Sequence, residues 1–408
     1  MALAAALTQD LDANLETLVE LYQDFHRAPE LSMQEHQTAE RITALMQERG
    51  YETFVCGGTG VVATLSNGDG PVIAYRADTD GLPIEEDTGA DFASTARGTL
   101  ADGTDVPVMH GCGHDTHITV ALETARLLAD HRDLWSGTVV FLFQPGEETS
   151  AGAAAMLEDG LWDKAPRPSA VFGQHVWPAP AGTINVSVGT AMAMADSLEV
   201  TVRGRQAHGS QPENSIDPVV LGAFMVTRLQ TVVSRETSAR KMLVLTIATF
   251  HAGLKENIIP DKAVFTINMR SFDEDVRADA LAAIERIIHA EAAAAGAPEP
   301  QIRKMYDFPR CYNDPDLTRP LLEAFREELG EGAVVESDAV TGSEDVGRFG
   351  DAIGVPYTYW FFGGHKAESI EAGAPGNHSP MFLPDDPATA LRTGTRAALT
   401  ALLSHLQK

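Results

Sequence analysis

The sequence contains little cysteine and little positive charge. Only three cysteines occur in 408 residues, Cys56, Cys112 and Cys311. This is too few for a disulfide framework and favours a reducing compartment, so we expect a cytoplasmic protein. Lys and Arg number 30 against 58 Asp and Glu, a net charge of −28. Such a field repels a phosphate backbone and an anionic membrane surface, so we expect neither nucleic acid nor a membrane as a partner.

Long hydrophobic runs are also missing. The most apolar stretches, TVVFLFQ at 138–144 and MLVLTIATF at 242–250, are less than half the length of a membrane-spanning helix and are typical of buried strands. The N-terminal segment has no basic region before its short apolar patch, so we expect no signal peptide. The motifs GxxxxGK[ST], GxGxxG, GxSxG and HExxH are absent, which removes the main sequence support for nucleotide and serine-esterase chemistry.

The composition that remains is that of a globular protein with several domains. Hydrophobic residues make up 44% and charged residues 22%, and a chain of this length predicts two or three domains. Apolar residues at helical spacing from Leu11 to about Arg49, interrupted near Pro29, predict two opening helices. Strand-like runs then alternate with helical segments as far as residue 176, which predicts an α/β domain with a mainly parallel sheet flanked by helices.

The pattern changes near residue 190. Segments that follow read as β-α-β-β-α, typical of a smaller α+β domain of ferredoxin-like type inserted into the first. After the Gly- and Pro-containing segment AAAAGAPEPQ, helical and strand-like segments resume. We therefore predict a discontinuous first domain, residues 1–192 and 306–408, and an inserted domain, residues 193–305.

Metal-binding residue types are concentrated in one short segment. His110, Cys112, His114 and His117 lie within eight positions, and thiolate and imidazole are ligands for transition metals. The glycines beside Cys112 let the backbone turn tightly, as a loop between a strand and a helix requires. The alternative is a buried thiol accompanied by surface histidines.

A pair of adjacent carboxylates follows a predicted buried strand. Glu147 and Glu148 come directly after TVVFLFQPG. Neighbouring side chains of an extended segment point to opposite sides, so one carboxylate can bind a metal while the other faces water or substrate. A solvated loop is the alternative. His175 and His378 lie in further loops, and together with Cys112, His114 and Glu148 they provide the donors that a two-metal hydrolytic site needs.

The motifs together resemble the M20 family of metallopeptidases and amidohydrolases. The resemblance is to the subgroup of hippurate hydrolases, auxin-conjugate amidohydrolases and N-acyl amino acid aminoacylases. It runs almost from end to end and is carried by these segments: FHRAPELSMQEHQTA (25–39), YRADTDGLPI (75–84), MHGCGHDTH (109–117), QPGEE (144–148), GQHV (173–176), HGSQPENSIDPV (208–219), NIIPDKAVFTINMR (257–270), GSEDV (342–346) and GNHSPMF (376–382).

The resemblance implies a role for each matching residue. Glu147 would be the general base, Asp78 would orient a metal ligand, and His208 would reach across a dimer interface to polarise the scissile carbonyl. Asn257 and Arg270 would help to bind the substrate's carboxylate; an Arg fork suits that task, although a surface salt bridge is the alternative for Arg270. The inserted domain would carry the contact of a homodimer. The metal ligands would be Cys112, His114, Glu148, His175 and His378.

We therefore expect a metal-dependent amidohydrolase that cleaves N-acyl amino acids to a carboxylic acid and a free amino acid. A dipeptidase or carboxypeptidase of the same fold is the alternative, and a noncatalytic metal- or ligand-binding protein is a further one. Two divalent ions per subunit are implied, Zn²⁺ or Mn²⁺, and the same donors also accept Co²⁺ or Ni²⁺.

Overall fold

The chain forms two compact units. A computed structural model describes residues 2–406. The first unit comprises the chain up to Ala191, Tyr312–Ala339 and the chain from Asp345, and the second comprises Met192–Cys311 and Val340–Glu344. The domain limits taken from the sequence stay a prediction. Within residues 2–406, no helix has both the length and the apolar composition that crossing a bilayer requires.

An eight-stranded sheet is the centre of the first unit. Its spatial order is β1-β2-β6-β3-β7-β18-β8-β17. The strands are β1 (Glu52–Cys56), β2 (Gly60–Asn67), β3 (Val72–Asp78), β6 (Gly137–Gln144), β7 (Ala170–Pro180), β8 (Ile184–Val186), β17 (Val334–Glu336) and β18 (Tyr357–His365). The four central strands β6, β3, β7 and β18 are parallel, whereas β1, β2 and β6 pair antiparallel at one side. Their apolar runs are buried because helices cover both faces of a parallel sheet.

The helices of the first unit pack around one long buried helix. This helix, α4, spans His114–Asp130, and nearly all its side chains are buried, including the polar ones of its first turn. The others are α1 (Ala5–Ala13), α2 (Leu15–His26), α3 (His36–Glu48), α5 (Gly152–Glu158), α6 (Leu161–Lys164), α9 (Pro315–Leu329), α10 (Gly347–Asp351), α11 (Ala367–Glu371) and α12 (Pro387–Leu406). A short hairpin joins β4 (Arg97–Thr99) and β5 (Asp105–Pro107).

The second unit has its own sheet and core. Its elements are β10 (Met194–Arg203), β11 (Ala207–His208), α7 (Pro218–Thr231), β12 (Leu243–Ala252), β13 (Ile258–Ile259), β14 (Lys262–Ser271), α8 (Glu274–Ala294) and β15 (Gln301–Phe308). The main strands pair antiparallel in the order β12-β14-β10-β15, and the apolar faces of α7 and α8 pack on this sheet. Asp217 and Asp273 cap the two helices by accepting hydrogen bonds from main-chain N–H groups. The remaining strands are β9 (Gly189–Met192) and β16 (Cys311–Asn313).

The predicted fold class is confirmed, with two local differences. The β-α-β-β-α-β order of the second unit and its strand arrangement are those of a ferredoxin-like fold. The sequence pattern missed β15 because most of its side chains are polar and exposed, so the strand shows no apolar alternation. It also missed α1, which is a second helix before Pro29 and buries only Leu7 and Leu11.

Candidate metal centre

The candidate site lies where neighbouring parallel strands of the first unit end. β3 ends at Asp78 and β6 ends at Gln144, three residues before Glu147, while His175 lies in the middle of β7, two residues beyond the last pair that β7 forms with β3. Because β6, β3 and β7 are parallel neighbours, these ends meet at one edge of the sheet. This is the edge at which open α/β sheets bind ligands.

The turn before α4 directs Cys112 and His114 to the same place. Between them, Gly113 has φ of 83°, in the left-handed region that favours glycine. A Cβ on Gly113 would lie 2.4 Å from Cγ1 of Val176, so this position also lacks space for a side chain. The predicted role of glycine in this loop is therefore visible in the structure.

The predicted metal ligands converge. Three overlapping groups of donor atoms, each with its members within 4.8 Å of one another, contain Cys112, Glu148 and His378; His114, Glu147 and Glu148; and Asp78, His114, His117 and His175. Nε2 of His175 lies 3.4 Å from Sγ of Cys112, which links the first group to the last. All five predicted ligands and the predicted base thus come together from segments distant in sequence.

The loop that carries His378 is attached to the Cys112 turn. The main-chain N–H of His378 donates to the carbonyl of Gly111 at 2.7 Å, and Nδ2 of Asn377 donates to the carbonyl of Cys112 at 3.0 Å. His378 has φ of 69°, unusual for a residue with a side chain. Its Nε2 lies 3.1 Å from Oε1 of Glu148. The strained backbone thus accompanies a histidine that faces a carboxylate of the cluster.

The donor set fits a divalent transition metal. It combines thiol, imidazole and carboxylate groups, which such metals bind. Nε2 of His114 is buried and has no hydrogen-bond partner among residues 2–406, although carboxylate oxygens of Asp78 and Glu148 lie at 3.7 and 3.9 Å. A buried ring nitrogen is normally satisfied, so a nitrogen that faces only acceptors at these distances suits a cation.

In the metal-free protein, the surroundings of His114 and Cys112 favour their protonated forms, so metal binding must displace protons from both. Burial acts to lower the pKa of His114, but the carboxylates of Asp78, Asp80 and Glu148 outweigh it and raise the pKa to about 10. Burial raises the pKa of the Cys112 thiol well above its usual value, and nearby carboxylates add to this. Both groups therefore hold protons until a metal replaces them.

Asp78 is hydrogen-bonded to two residues that are not predicted metal ligands. One of its oxygens accepts from Nη1 of the buried Arg76 at 2.7 Å, and the other contacts Nδ1 of His117. Burial acts to raise the pKa of Asp78, but Arg76, His114 and His117 outweigh it and hold the pKa well below its usual value. Among the predicted ligands, His114 is the one within ion-pair distance of Asp78, at 3.7 Å.

Three supporting residues were not singled out from the sequence. Asp80 contacts Nδ1 of His114 and accepts from the main-chain N–H of Glu148. Glu35 accepts from the N–H of Gly146, in the loop that carries Glu147 and Glu148. Nε of Arg76 donates to the side chain of Gln144. All three lie inside the segments that carry the resemblance, but only the fold reveals their partners.

The other predicted site residues lie in the second unit. His208 is exposed, and its Nδ1 accepts from the N–H of Ser210. The pairing of β11 with β13 brings it near Asn257, whose carbonyl accepts from the N–H of Gly209. Nη1 of Arg270 donates to the carbonyl of Thr341 at 2.7 Å and to Oγ of Ser343 at 3.2 Å. Arg270 therefore also supports the 340–344 segment.

Known proteins resemble the whole chain. Residues 74–400 match the model of peptidase family M20/M25/M40. Thermostable carboxypeptidase 1 of Saccharolobus solfataricus is 32% identical over 99% of this chain and 100% of its own length. N-acetylcysteine deacetylase of Bacillus subtilis is 34% identical over 95% and 96%. The crystal structure of Bacillus subtilis YXEP protein, described as a dinuclear metal binding peptidase from the M20 family, superposes with a TM-score of 0.75 at 31% identity and covers 97% of this chain and 100% of that one.

These matches span the strands and loops that form the cluster. The resemblance inferred from the motifs is confirmed, and the cluster of His, Asp and Glu side chains fits divalent metal ions. The chain belongs to peptidase family M20/M25/M40 and is a metal-dependent hydrolase that acts on amides.

Proposed function

We propose that the chain hydrolyses N-acyl amino acids to a carboxylic acid and a free amino acid. The observation that supports this most directly is the position of Glu147, whose carboxylate lies in one group with His114 and Glu148 while the remaining ligands surround them. A carboxylate beside a metal site is what a hydrolase needs and a metal-storage protein does not. The similarity to N-acetylcysteine deacetylase supports an acyl amino acid as the substrate class.

Cys112, His114, Glu148, His175 and His378 would hold two divalent ions, with Zn²⁺ or Mn²⁺ as the proposed metals and Co²⁺ or Ni²⁺ as alternatives. When bound, such ions lower the pKa of water from about 16 towards 7 and polarise a carbonyl group. The similarity to a dinuclear metal binding peptidase supports a count of two.

Glu147 would move the proton. Its side chain is buried, with 6% of the residue exposed, so it is shielded from bulk solvent. It would take a proton from water as the oxygen attacks the amide carbon, and then donate that proton to the departing nitrogen. Without this transfer the leaving group would be an unstable amide anion. The ion pair between Asp78 and Arg76 would keep the Asp78 carboxylate ionised beside the site.

Residues of the second unit would bind the substrate. His208 would polarise the scissile carbonyl as a residue supplied across a dimer, since it stands on the exposed β11 hairpin. Asn257 and Arg270 would bind the substrate's carboxylate. Arg270 uses Nη1 for contacts with Thr341 and Ser343, and a guanidinium has further N–H groups with which to bind an anion.

A homodimer is proposed through the second unit. β12 is an edge strand of ten residues, and all five residues of its second half, 248–252, are exposed. On the same unit, Val220 and Phe224 of α7 are 52% and 62% exposed. A long edge strand and an exposed apolar helix face are features that pairing with a second copy covers. We also propose a cytoplasmic location, which the low cysteine content of three in 408 residues supports.

A carboxypeptidase or dipeptidase is the second candidate, because thermostable carboxypeptidase 1 is similar over its full length. The experiment is release of free amine by protein reconstituted with Zn²⁺ or Mn²⁺, with N-acyl amino acids and dipeptides of matching side chains as substrates. The proposal predicts turnover of the acyl series that chelation abolishes and metal restores. Preference for dipeptides would favour the second candidate, and no turnover of either series by metal-loaded protein would contradict both.

A further inference from the structure

His117 has the residue type and the position of a metal ligand. It lies on α4 one turn after His114, its side chain is buried, and its ring centroid is 4.5 Å from that of His175. Its donor atoms belong to the group that contains Asp78, His114 and His175. By its position alone, His117 would be counted among the metal ligands. Whether it can bind a metal depends on the hydrogen bonds of its two ring nitrogens.

Both ring nitrogens of His117 are already used. Nε2 lies 2.8 Å from the main-chain nitrogen of Val176, which can only donate, so Nε2 accepts and carries no proton. The proton of the neutral ring is then on Nδ1, which donates to Oδ1 of Asp78. In this arrangement His117 has no lone pair left for a metal.

The N–H of Val176 needs a partner because β7 is no longer paired with β3 at this point, although β18 still pairs with it on the other side. β7 pairs with β3 from Ile73↔Ala170 to Arg76↔Gly173, and the ladder stops there. Three residues further on, Nε2 of His117 accepts the N–H that the ladder would otherwise bind. A buried main-chain donor without a partner destabilises the fold, so this contact fixes the local path of β7.

The other polar group of Val176 fixes a metal ligand. Its carbonyl accepts from Nδ1 of His175 at 2.6 Å, so His175 carries its proton on Nδ1 and presents the lone pair of Nε2. That atom lies 3.4 Å from Sγ of Cys112. Val176 is thus held by His117 at its N–H and holds His175 at its carbonyl.

Asp78, which is the partner of Nδ1 of His117, also forms a buried ion pair with Arg76. Asp78 accepts from His117 with one oxygen and from Arg76 with the other, at 2.7 Å. Nε of Arg76 donates to Oε1 of Gln144 at 2.8 Å. Asp78 is therefore positioned by strands β3 and β6, and it directs the N–H of His117, which leaves Nε2 to accept from Val176.

We propose that His117 is a positioning residue, which sets the orientation and tautomer of the ligand His175 through the main chain of Val176, and that it does not bind metal. The inference rests on the proposed metal site.

The test compares two variants of His117 with a control. His117→Phe keeps a ring for the contact with Phe362, 6.0 Å away between centroids, but lacks both nitrogens. His117→Gln keeps one acceptor and one donor. His110→Phe is the control, because His110 is equally buried and neither of its nitrogens has a hydrogen-bond partner among residues 2–406. Affinity and stoichiometry are measured with Zn²⁺ by competition with a chelator, and the absorption spectrum is recorded with Co²⁺.

We expect His117→Phe to bind as many ions as the wild type, with affinity at the site to which His175 contributes reduced about 10- to 100-fold, as for other residues that orient ligands. The thiolate-to-Co²⁺ absorption should shift, since His175 and Cys112 are neighbours. His117→Gln should recover both affinity and spectrum, and His110→Phe should match the wild type.

Other outcomes overturn the inference. One bound ion fewer in both His117 variants would mean that His117 is a ligand. Wild-type affinity in folded His117→Phe, or an equal loss in His110→Phe, would remove the positioning role. If His117→Phe does not fold, His117→Gln decides, because a large loss of affinity in this variant contradicts the proposal. Failure of the wild type to bind Zn²⁺ would instead contradict the proposed function.

Discussion

Nδ1 of His114 lies 3.2 Å from Oδ1 of Asp80, and the other oxygen of the same carboxylate accepts from the main-chain N–H of Glu148 at 3.1 Å. One carboxylate thus supports two proposed ligands from α4 and from the loop after β6. Asp80 is buried, and burial acts to raise its pKa, but the contact with His114 outweighs it and keeps the pKa below the usual value. Asp80 is therefore an anion that holds the imidazole in one orientation.

Asp80→Asn should weaken metal binding by about 10- to 100-fold, the usual loss when the partner of a ligating histidine is changed. The amide has one oxygen to replace two acceptors, so either His114 or the N–H of Glu148 loses its partner. Chelator competition measures the effect. Asp102→Asn, on an exposed loop, is the matched control, and equal affinities of the two variants would show that Asp80 does not support the site.

Glu147→Gln should keep the metal and lose turnover. The change is close to isosteric and removes the group that would accept a proton from water, so we expect kcat to fall about 100- to 10,000-fold. Metal content is measured beside the rate of amine release. Glu148→Gln is the comparison variant, expected to lose metal as well as activity. Substantial turnover by Glu147→Gln with full metal content would assign the base elsewhere.

The residues of the candidate site could be chosen from the sequence, whereas the contacts between them could not. Cys112, His114 and the Glu147–Glu148 pair stand out because metal-binding and acidic residues are concentrated at predicted strand ends. The role of Asp80 could not be predicted from the sequence, since an acidic residue in a polar loop is ordinarily solvated. It becomes a partner of His114 only when β3 and the start of α4 meet, and this depends on the packing of the sheet.

The same limit applies to His117. In sequence it is one of four closely spaced residues of types that can bind metals. Their spacing does not distinguish a ligand from a positioning residue. The distinction depends on the N–H of Val176, which is 59 residues away in the chain and needs a partner only because the β3–β7 ladder ends early. The fold class, in contrast, follows from periodicity and was predicted correctly, although the polar edge strand β15 and the helix α1 were missed.

His26 should make the stability of the metal-free protein depend on pH. Its ring lies 2.6 Å from Asp115 and 3.1 Å from Glu86 and is buried. Burial acts to lower the pKa of His26, but these carboxylates outweigh it and raise the pKa to about 9. Because the folded state binds the proton more tightly, the stabilisation is complete below pH 6.5 and is lost as the pH rises through 9.

The contribution of His26 reaches about 3 kcal/mol, as a shift of this size implies. Denaturant unfolding of the wild type and of His26→Gln between pH 6 and 10 measures it. We expect the difference in free energy of unfolding between the two proteins to shrink across this interval. A difference that stays constant would mean that His26 is not protonated in the folded state.

Glu35 should give a second decline in stability as the pH rises, in a lower pH range than the decline due to His26. It is fully buried and accepts from the N–H of Gly146 at 2.8 Å and from Oγ1 of Thr59 at 2.5 Å. Burial, and then the charge of Asp80, raise its pKa to about 7. A carboxyl with a raised pKa favours the folded state most below its ordinary pKa of 4.5, and this contribution is lost as the pH rises through 7.

Glu35→Gln should remove this decline, because the amide can accept from Gly146 and does not ionise. At pH 8 we expect the metal-free variant to be at least as stable as the wild type, whereas Glu35→Ala should be less stable because it leaves the N–H of Gly146 without its acceptor. Unfolding curves at pH 5 and pH 8 test both. Parallel pH profiles for the wild type and Glu35→Gln would show that Glu35 does not titrate in this range.

The proposed homodimer predicts that charge on the exposed face of α7 produces monomers. Phe224 and Val220 are one helical turn apart, and both are exposed on the second unit. Burying lysines at these positions in an interface would cost more than a dimer contact can offset, because each would lose hydration without gaining a partner. Sedimentation of Val220→Lys/Phe224→Lys should therefore give the monomer mass where the wild type gives the dimer. Val55→Lys, at a position 53% exposed on β1 of the first unit, should leave the dimer intact.

Since His208 would act across the dimer, the monomeric variant should also bind metal normally while losing turnover. Full activity in a monomer would rule out a catalytic residue from the partner.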